Sequence, residues 1–408
     1  KNPELKKDRI EIIDVLRGFA LLGIIIVHFT EQYYAGQPPA SHERLGSGGI
    51  ADGIVQGFSG IFVQGKFFMI FSFLFGLSFF IQLDRSRSPS FLLRFAWRLI
   101  VLFAIGFFHH LHYRGDILTI YAVLGFGLLL FYRLPDKALL ILALFLVFNI
   151  PSLGVRLYEG VYGNGGNPFG SSDQKQLQQY FETLKSGSYF NILNANLHEF
   201  KFKFDFQVAS GRIYITLGLF LLGLYAGRKK FFEKWEEQID WVKKLCKNSL
   251  WTIFGCIFFN ATFFGIINLA AIKLSQPFQW AVGGFSFDVF NACLATFYVT
   301  GILLLFRREK WKPRLMQFYA LGRMGLTSYL MQTLFGFFIF FSLGFRLLGE
   351  TGALVNLLIG LAVYAIQIFF SKWWLKNFRF GPVEWLWRSL TYLKVQPMKQ
   401  HLPRSHGS

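Results

Sequence analysis

The chain has 408 residues, 53% of them hydrophobic and 16% charged, with a mean hydropathy of +0.40 and a formal net charge of +19. A water-soluble protein of this size needs more polar surface than that, and its basic residues would have to gather in one patch to bind nucleic acid; here they punctuate the ends of long apolar runs. These facts exclude a soluble enzyme and a nucleic-acid partner, and predict an all-α polytopic transmembrane helical bundle in contact with membrane lipids.

Apolar runs lie near 12–33, 60–83, 93–112, 116–132, 137–155, 209–227, 249–272, 283–306, 325–345 and 353–374. A bilayer core needs roughly 20 apolar residues per helix, so about ten transmembrane helices are expected. Lys6, Lys7 and Arg9 before the first run imitate a secretory signal, but Asp14 and Arg17 interrupt it. With the N-terminus inside, the inner segments 1–11, 84–98, 133–137, 228–247, 307–323 and 372–408 hold 30 Lys and Arg, against 11 outside. That bias and the even count predict both termini in the cytoplasm of a multi-pass plasma-membrane protein, with a bacterial origin expected.

Three parts are expected: a five-helix block at 1–157, an extracytoplasmic connection at 158–208, and a second five-helix block at 209–408 with a cytoplasmic interfacial tail. The connection opens on the turn-rich Gly163–Pro168 and continues into a polar helix at Gln174–Lys185. Phe200 to Phe206 alternate Phe with Lys201, Lys203 and Asp205, a period of two that predicts a strand or an extended surface segment. An interfacial connector is the plain reading of 158–208, and a lid over an outward pocket the sharper one. Trp373, Trp374, Trp385 and Trp387 among basic residues predict a helix on the inner leaflet. The cysteines (Cys246, Cys256, Cys293) show no metal or disulfide spacing, and no internal repeat is evident.

Ionisable groups within apolar runs are functional candidates by default, because hydrocarbon disfavours them. Asp14 and Arg17 are three residues apart and can pair. Arg17 and His28 are eleven apart, close to three helical turns, so both project from one face about 16 Å apart along the axis. The plain alternative is a structural Asp14–Arg17 pair and an unrelated His28; spacing alone favours it. His109, His110, His112, Arg114 and Asp116 crowd the corner between the third and fourth runs. A neutral imidazole can take a proton from a hydroxyl and a carboxylate can orient it, which makes His109 and Asp116 candidates beside His28. No metal is expected, since no second paired His/Asp motif completes a site. Lys66, Asp288, Asn291, Thr327, Ser328 and Gln332 are further buried-polar candidates; each also fits helix–helix gluing, and Lys66 and Asp288 could form an ion pair. Gly223-x-x-x-Gly227 reads as a close helix contact.

Asp14-Val-Leu-Arg-Gly-Phe-Ala-Leu-Leu-Gly23, Gly65-Lys-Phe with Phe71-Ser-Phe-Leu-Phe-Gly76, Gly115-Asp-Ile-Leu118 followed by Tyr121, Leu326-Thr-Ser-Tyr-Leu with Gln332, and Gly381-Pro-Val-Glu-Trp-Leu-Trp-Arg388 occur in that order. Together they resemble the YeiB-like family, also called DUF418, over residues 9 to 394. That family looks related to a wider superfamily of transmembrane acyltransferases, whose type-three members carry an Arg and a His separated by ten residues in the first helix. Arg17 and His28 match that spacing, where YeiB-like proteins often have Asn in place of His28. His109 matches the His that the family usually places before Gly-Asp-Ile-Leu.

The resemblance implies acyl transfer from a cytoplasmic acyl-CoA to an extracytoplasmic or lipid-linked acceptor: a glycan, a lipid or a small metabolite. On that reading His28, His109 and Asp116 are catalytic, Arg17 and Lys66 contact the donor, and Asp14, Asp288, Ser328 and Gln332 contact substrate. A transporter or exporter using the same polar path is the alternative, and a non-catalytic membrane partner the third; self-association is left open.

Overall fold

The computed structural model describes residues 9–36, 38–42, 49–86, 88–162 and 174–400, and these are almost entirely helical. The helices are α1 (Glu11–Thr30), α2 (Ile50–Phe58), α3 (Phe67–Arg85), α4 (Phe91–His112), α5 (Leu118–Phe131), α6 (Asp136–Val147), α7 (Ile150–Tyr162), α8 (Gln174–Ser186), α9 (Tyr189–Ala209), α10 (Arg212–Arg228), α11 (Phe231–Lys234), α12 (Ile239–Leu269), α13 (Gln276–Phe306), α14 (Lys312–Leu315), α15 (Tyr319–Arg323), α16 (Gly325–Phe340), α17 (Ala353–Asn377) and α18 (Pro382–Tyr392). The only strand-like feature among the described residues is an isolated bridge between Phe378 and Lys399.

All ten expected apolar runs are helical. Among the described residues, six helices are long and apolar enough to cross a membrane, or eight if two bent pairs each count as one span. α5 and α16 are shorter apolar helices. The bent pairs are α6–α7, which turn by 44°, and α9–α10, which turn by 71°. Asn149 (φ 56°) breaks the first and Gly211 (φ 74°) the second. The two breaks touch: a Cβ on Gly211 would stand 2.3 Å from the Asn149 side chain, so this position needs glycine both for its φ and for its space.

The segment 190–208 is neither strand nor extended. It is the body of α9, in which Ile192, Asn196, Lys203 and Gln207 form the buried stripe, spaced four, seven and four residues apart. Lys201 and Asp205 pair across one turn on the exposed side at 2.7 Å. The Phe/Lys alternation over seven residues was too short to outweigh the helical period of the whole segment. α8 coincides with the expected polar helix, and Gly163–Pro168 falls outside the described residues.

α1 is the most enclosed of the long apolar helices and packs against α3, α15, α16 and α17. α3 and α10 approach to backbone contact, because a Cβ on Gly76 would lie 1.9 Å from the Phe220 carbonyl oxygen and one on Gly223 would lie 2.1 Å from that of Phe73. Small residues at such crossings let helices gain dispersion contact where lipid removes the hydrophobic drive to associate. α12 lies at the other extreme. Its Trp251, Phe254, Ile257 and Phe258 are exposed, as expected of a surface that meets hydrocarbon rather than water.

Candidate functional site

One large cavity, of about 1740 Å³, runs through the bundle beside α1. Arg17, near the start of α1, and His28, in its last turn, both line it. The helical phase expected for these two residues is therefore matched by a shared space.

The two ends of the cavity differ. Around the start of α1, Arg9 and Arg17 are joined in its wall by Arg94 and Arg98 from α4, Arg323 from α15 and Arg388 from α18. Asp14 and Glu384 are the carboxylates in the described wall at this end. Asp14 is fully engaged: Arg17 donates to it at 2.6 Å, and Arg9 donates through two nitrogens. Arg17 also donates to Ser78 Oγ at 2.6 Å, which leaves its edge facing the cavity. Glu384 accepts from the backbone N–H groups of Leu326 (2.7 Å) and Thr327 (3.1 Å), so its charge is spent on the N-terminus of α16. Asp14 is thus an anchor for Arg9 and Arg17.

At the opposite end positive and negative groups alternate. Arg156 from α7 lies 3.7 Å from Asp288 of α13, and Asn149 donates to the same carboxylate at 2.8 Å. Glu31 accepts from Gln64 at 2.8 Å. Glu199, Lys203 and Gln207 of α9 also face the cavity, so the connection between the two blocks supplies part of its wall.

His28 projects into this end, surrounded by three tyrosines. Its ring centroid lies 5.2 Å from Tyr33, 5.1 Å from Tyr113 and 6.2 Å from Tyr329. Its Nδ1 is buried without a hydrogen-bond partner. Among the described residues no carboxylate bonds this imidazole; the aromatic cage surrounds it.

His109 and Asp116 stand behind that cage. His109 Nδ1 donates to Asp116 at 2.8 Å, and Nε2 accepts from the Thr333 hydroxyl at 2.8 Å. His109 also packs against Tyr113 and Tyr329, at 6.1 and 5.0 Å, so the two histidines share both tyrosines as neighbours. Asp116 reaches the cavity wall, whereas His109 and Thr333 are buried behind it. Asp116 also accepts from the N–H groups of Leu118 and Thr119 (both 3.0 Å) and from the Thr119 hydroxyl (2.7 Å), and Lys203 lies 3.4 Å away.

The other two histidines do not converge on this point. His110 donates from Nε2 to the Asn196 carbonyl (2.7 Å) and accepts from Lys203 (3.2 Å). His112 donates from Nδ1 to the Phe108 carbonyl (2.9 Å) and accepts from the Tyr189 hydroxyl (2.9 Å). The Lys203 ammonium can only donate, which makes Nδ1 of His110 the acceptor and Nε2 the donor.

Of the remaining candidates, Asp288 and Asn291 line the cavity, whereas Lys66, Ser328 and Gln332 lie outside its wall. Lys66 does not pair with Asp288; it is fully buried, donates to the Gly60 (3.1 Å) and Gln64 (2.8 Å) carbonyls, and lies over the rings of Phe287 and Phe290. Those carbonyls are freed where α2 passes through a π-turn before α3, so Lys66 repairs a helix break. Gln332 donates to the Leu21 carbonyl (3.3 Å) and to Gln367 (3.2 Å), and the Ser328 carbonyl accepts from Gln367 (2.9 Å). Both glue α16 to its neighbours, away from the cavity wall. Sequence reasoning missed Lys203, Thr333 and Glu384. Lys203 carried a signal in its spacing from Asn196 and Gln207, which the alternation with Phe obscured.

Fold and site define an integral membrane helical bundle enclosing one cavity, arginine-rich at one end and holding an aromatic-caged histidine at the other. The chain belongs to the DUF418 family: the family profile, described as a protein of unknown function, matches residues 226–394. Bacillus subtilis YxaH is 31% identical over 97% of both chains. A 39.9 kDa protein from the amylase 3' region of Bacillus acidopullulyticus is 28% identical over 97% of this chain and 98% of its own. Escherichia coli YeiB is 28% identical over 94% and 97%. These bacterial relatives carry names that state no activity, so function has to be argued from the cavity.

Proposed function

We propose that the protein transfers an acyl group across the membrane, from a cytoplasmic acyl-CoA bound at the arginine end of the cavity to an acceptor hydroxyl or amine beside His28. The observation that carries this reading is the single cavity touching both Arg17 and His28. A thioester lying along α1 would bring its acyl carbon to the caged histidine. His28 takes the acceptor's proton as the acceptor oxygen or nitrogen bonds to the acyl carbon; the C–S bond then breaks, and the leaving thiolate receives the proton. Asp116, His109 and Thr333 form a hydroxyl–imidazole–carboxylate chain like that of hydrolase triads. Here it positions Tyr113 and Tyr329 around His28, because His109 and Thr333 lie behind the wall. The acyltransferase superfamily resemblance and the plasma-membrane location belong to the same proposal.

The test is transfer of a radiolabelled acyl group in reconstituted vesicles, with donor binding measured separately. His28→Ala should lower turnover by about 100- to 10,000-fold and leave donor affinity unchanged. Arg17→Ala should weaken donor binding instead. Full turnover by the His28→Ala protein would remove the catalytic role. Net movement of an unmodified solute through the same vesicles would favour a transporter.

A further inference from the structure

The arginine end is more basic than one bound helix dipole or one carboxylate requires. The Arg98 guanidinium carbon lies over Trp387, 3.8 Å from the ring centroid, and that of Arg388 lies over Phe380 at 4.5 Å. Stacking fixes the planes of these two guanidinium groups without consuming their N–H donors. The Nε atoms of Arg98, Arg323 and Arg388 are buried without hydrogen-bond partners. Arg98 is near enough to feel Arg388 and Arg17, and Arg388 near enough to feel Arg9. Arg98 donates one bond to Gln82 (2.8 Å) and Arg323 one to the Arg379 carbonyl (3.3 Å); like charges that keep their other donors in one cavity wall, beside carboxylates already engaged, form a site that an added anion would stabilise.

We infer that Arg98, Arg323 and Arg388 form the seat of a multiply charged phosphate group at this mouth of the cavity, with Arg94 at its edge. A carboxylate or single phosphate would leave most of these donors unused, whereas a diphosphate offers enough oxygens for several guanidinium forks. The site needs no group transfer; on the acyl-transfer reading it would hold the phosphates of the donor. Its chemistry admits two sources: a soluble diphosphate-bearing molecule entering from the aqueous side, or the headgroup of a lipid that carries two phosphates.

The experiment uses full-length protein in phosphatidylcholine nanodiscs, with radiolabelled inorganic pyrophosphate as the soluble probe and cardiolipin, an anionic lipid with two phosphates, in a second set of discs. Pyrophosphate should bind the wild type and be displaced by salt. Arg388→Gln should weaken binding about tenfold or more. Arg314→Gln, on α14 outside the cavity, should bind as the wild type does. If anionic lipid blocks pyrophosphate and raises the melting temperature of the wild type but not of Arg388→Gln, the phosphate seat stands and its natural occupant is a headgroup. If lipid leaves pyrophosphate binding intact, the occupant is soluble. Absence of both pyrophosphate binding and lipid stabilisation, or equal behaviour of wild type and Arg388→Gln, overturns the inference. Loss of turnover in His28→Ala with pyrophosphate binding retained would separate this site from the transfer chemistry.

Discussion

Asp116→Ala should be among the most damaging single substitutions in the chain. The carboxylate accepts from His109, the Thr119 hydroxyl and two backbone N–H groups at the start of α5, and balances Lys203. Uncapping a helix costs about 1 kcal/mol. Stranding a buried cation costs about 3–5 kcal/mol. Both figures count the same desolvated groups, so the expected total is about 3–5 kcal/mol and not their sum. Asp116→Asn keeps an acceptor for α5 but loses the charge, and should cost about 1–3 kcal/mol. Lys203→Met removes the cation that Asp116 neutralises, so Asp116→Asn and Lys203→Met together should cost less than the two added, by about 0.5–3 kcal/mol. SDS-unfolding titrations of the purified proteins would measure the cycle, with melting temperatures as a second ranking. Strict additivity would mean that Lys203 and Asp116 do not act as a pair.

Three other substitutions probe separate parts of the argument. In a protein with Cys246, Cys256 and Cys293 replaced, a single cysteine at Glu237 should react with a membrane-impermeant thiol reagent only after the cells are opened; labelling of intact cells would reverse the topology. Gly223→Val forces a side chain into the Phe73 carbonyl and should destabilise the α3–α10 contact by about 1–3 kcal/mol, and wild-type stability would refute the close crossing. Lys66→Met strands the Gly60 and Gln64 carbonyls and should cost about 1–3 kcal/mol while leaving donor affinity unchanged; a selective loss of donor binding would return Lys66 to the site.

The helices were legible because membrane hydrocarbon imposes one rule, uninterrupted apolar length, that composition alone displays. What length cannot display is where a helix bends. α6–α7 and α9–α10 break at Asn149 and Gly211, and only the contact between those residues explains why there. On α1 the phase of Arg17 and His28 was computable because both sit on one rigid element. The partners of Lys66, Asp288, Ser328 and Gln332 lie on other helices, so hydrophobic context marked them as unusual without showing that their hydrogen bonds are satisfied locally. The arginine end was hidden for a related reason. Arg94, Arg98, Arg323 and Arg388 come from three separate stretches, each of which reads as ordinary flanking charge until the helices are assembled.

α18 is sewn to two helices: Glu384 binds the start of α16, while on α4 the Arg98 carbonyl accepts from Trp387 Nε1 and Trp97 Nε1 donates to the Leu390 carbonyl, both at 3.0 Å. It is eleven residues long, too short to cross a bilayer, yet it furnishes Arg388 and Trp387 to the cavity wall. One side of the chamber is therefore a strut hung on the bundle's exterior. Any load that tilts this strut, whether a change in leaflet thickness, lateral tension or a docked neighbour, is levered directly onto Arg98 and the first turn of α16.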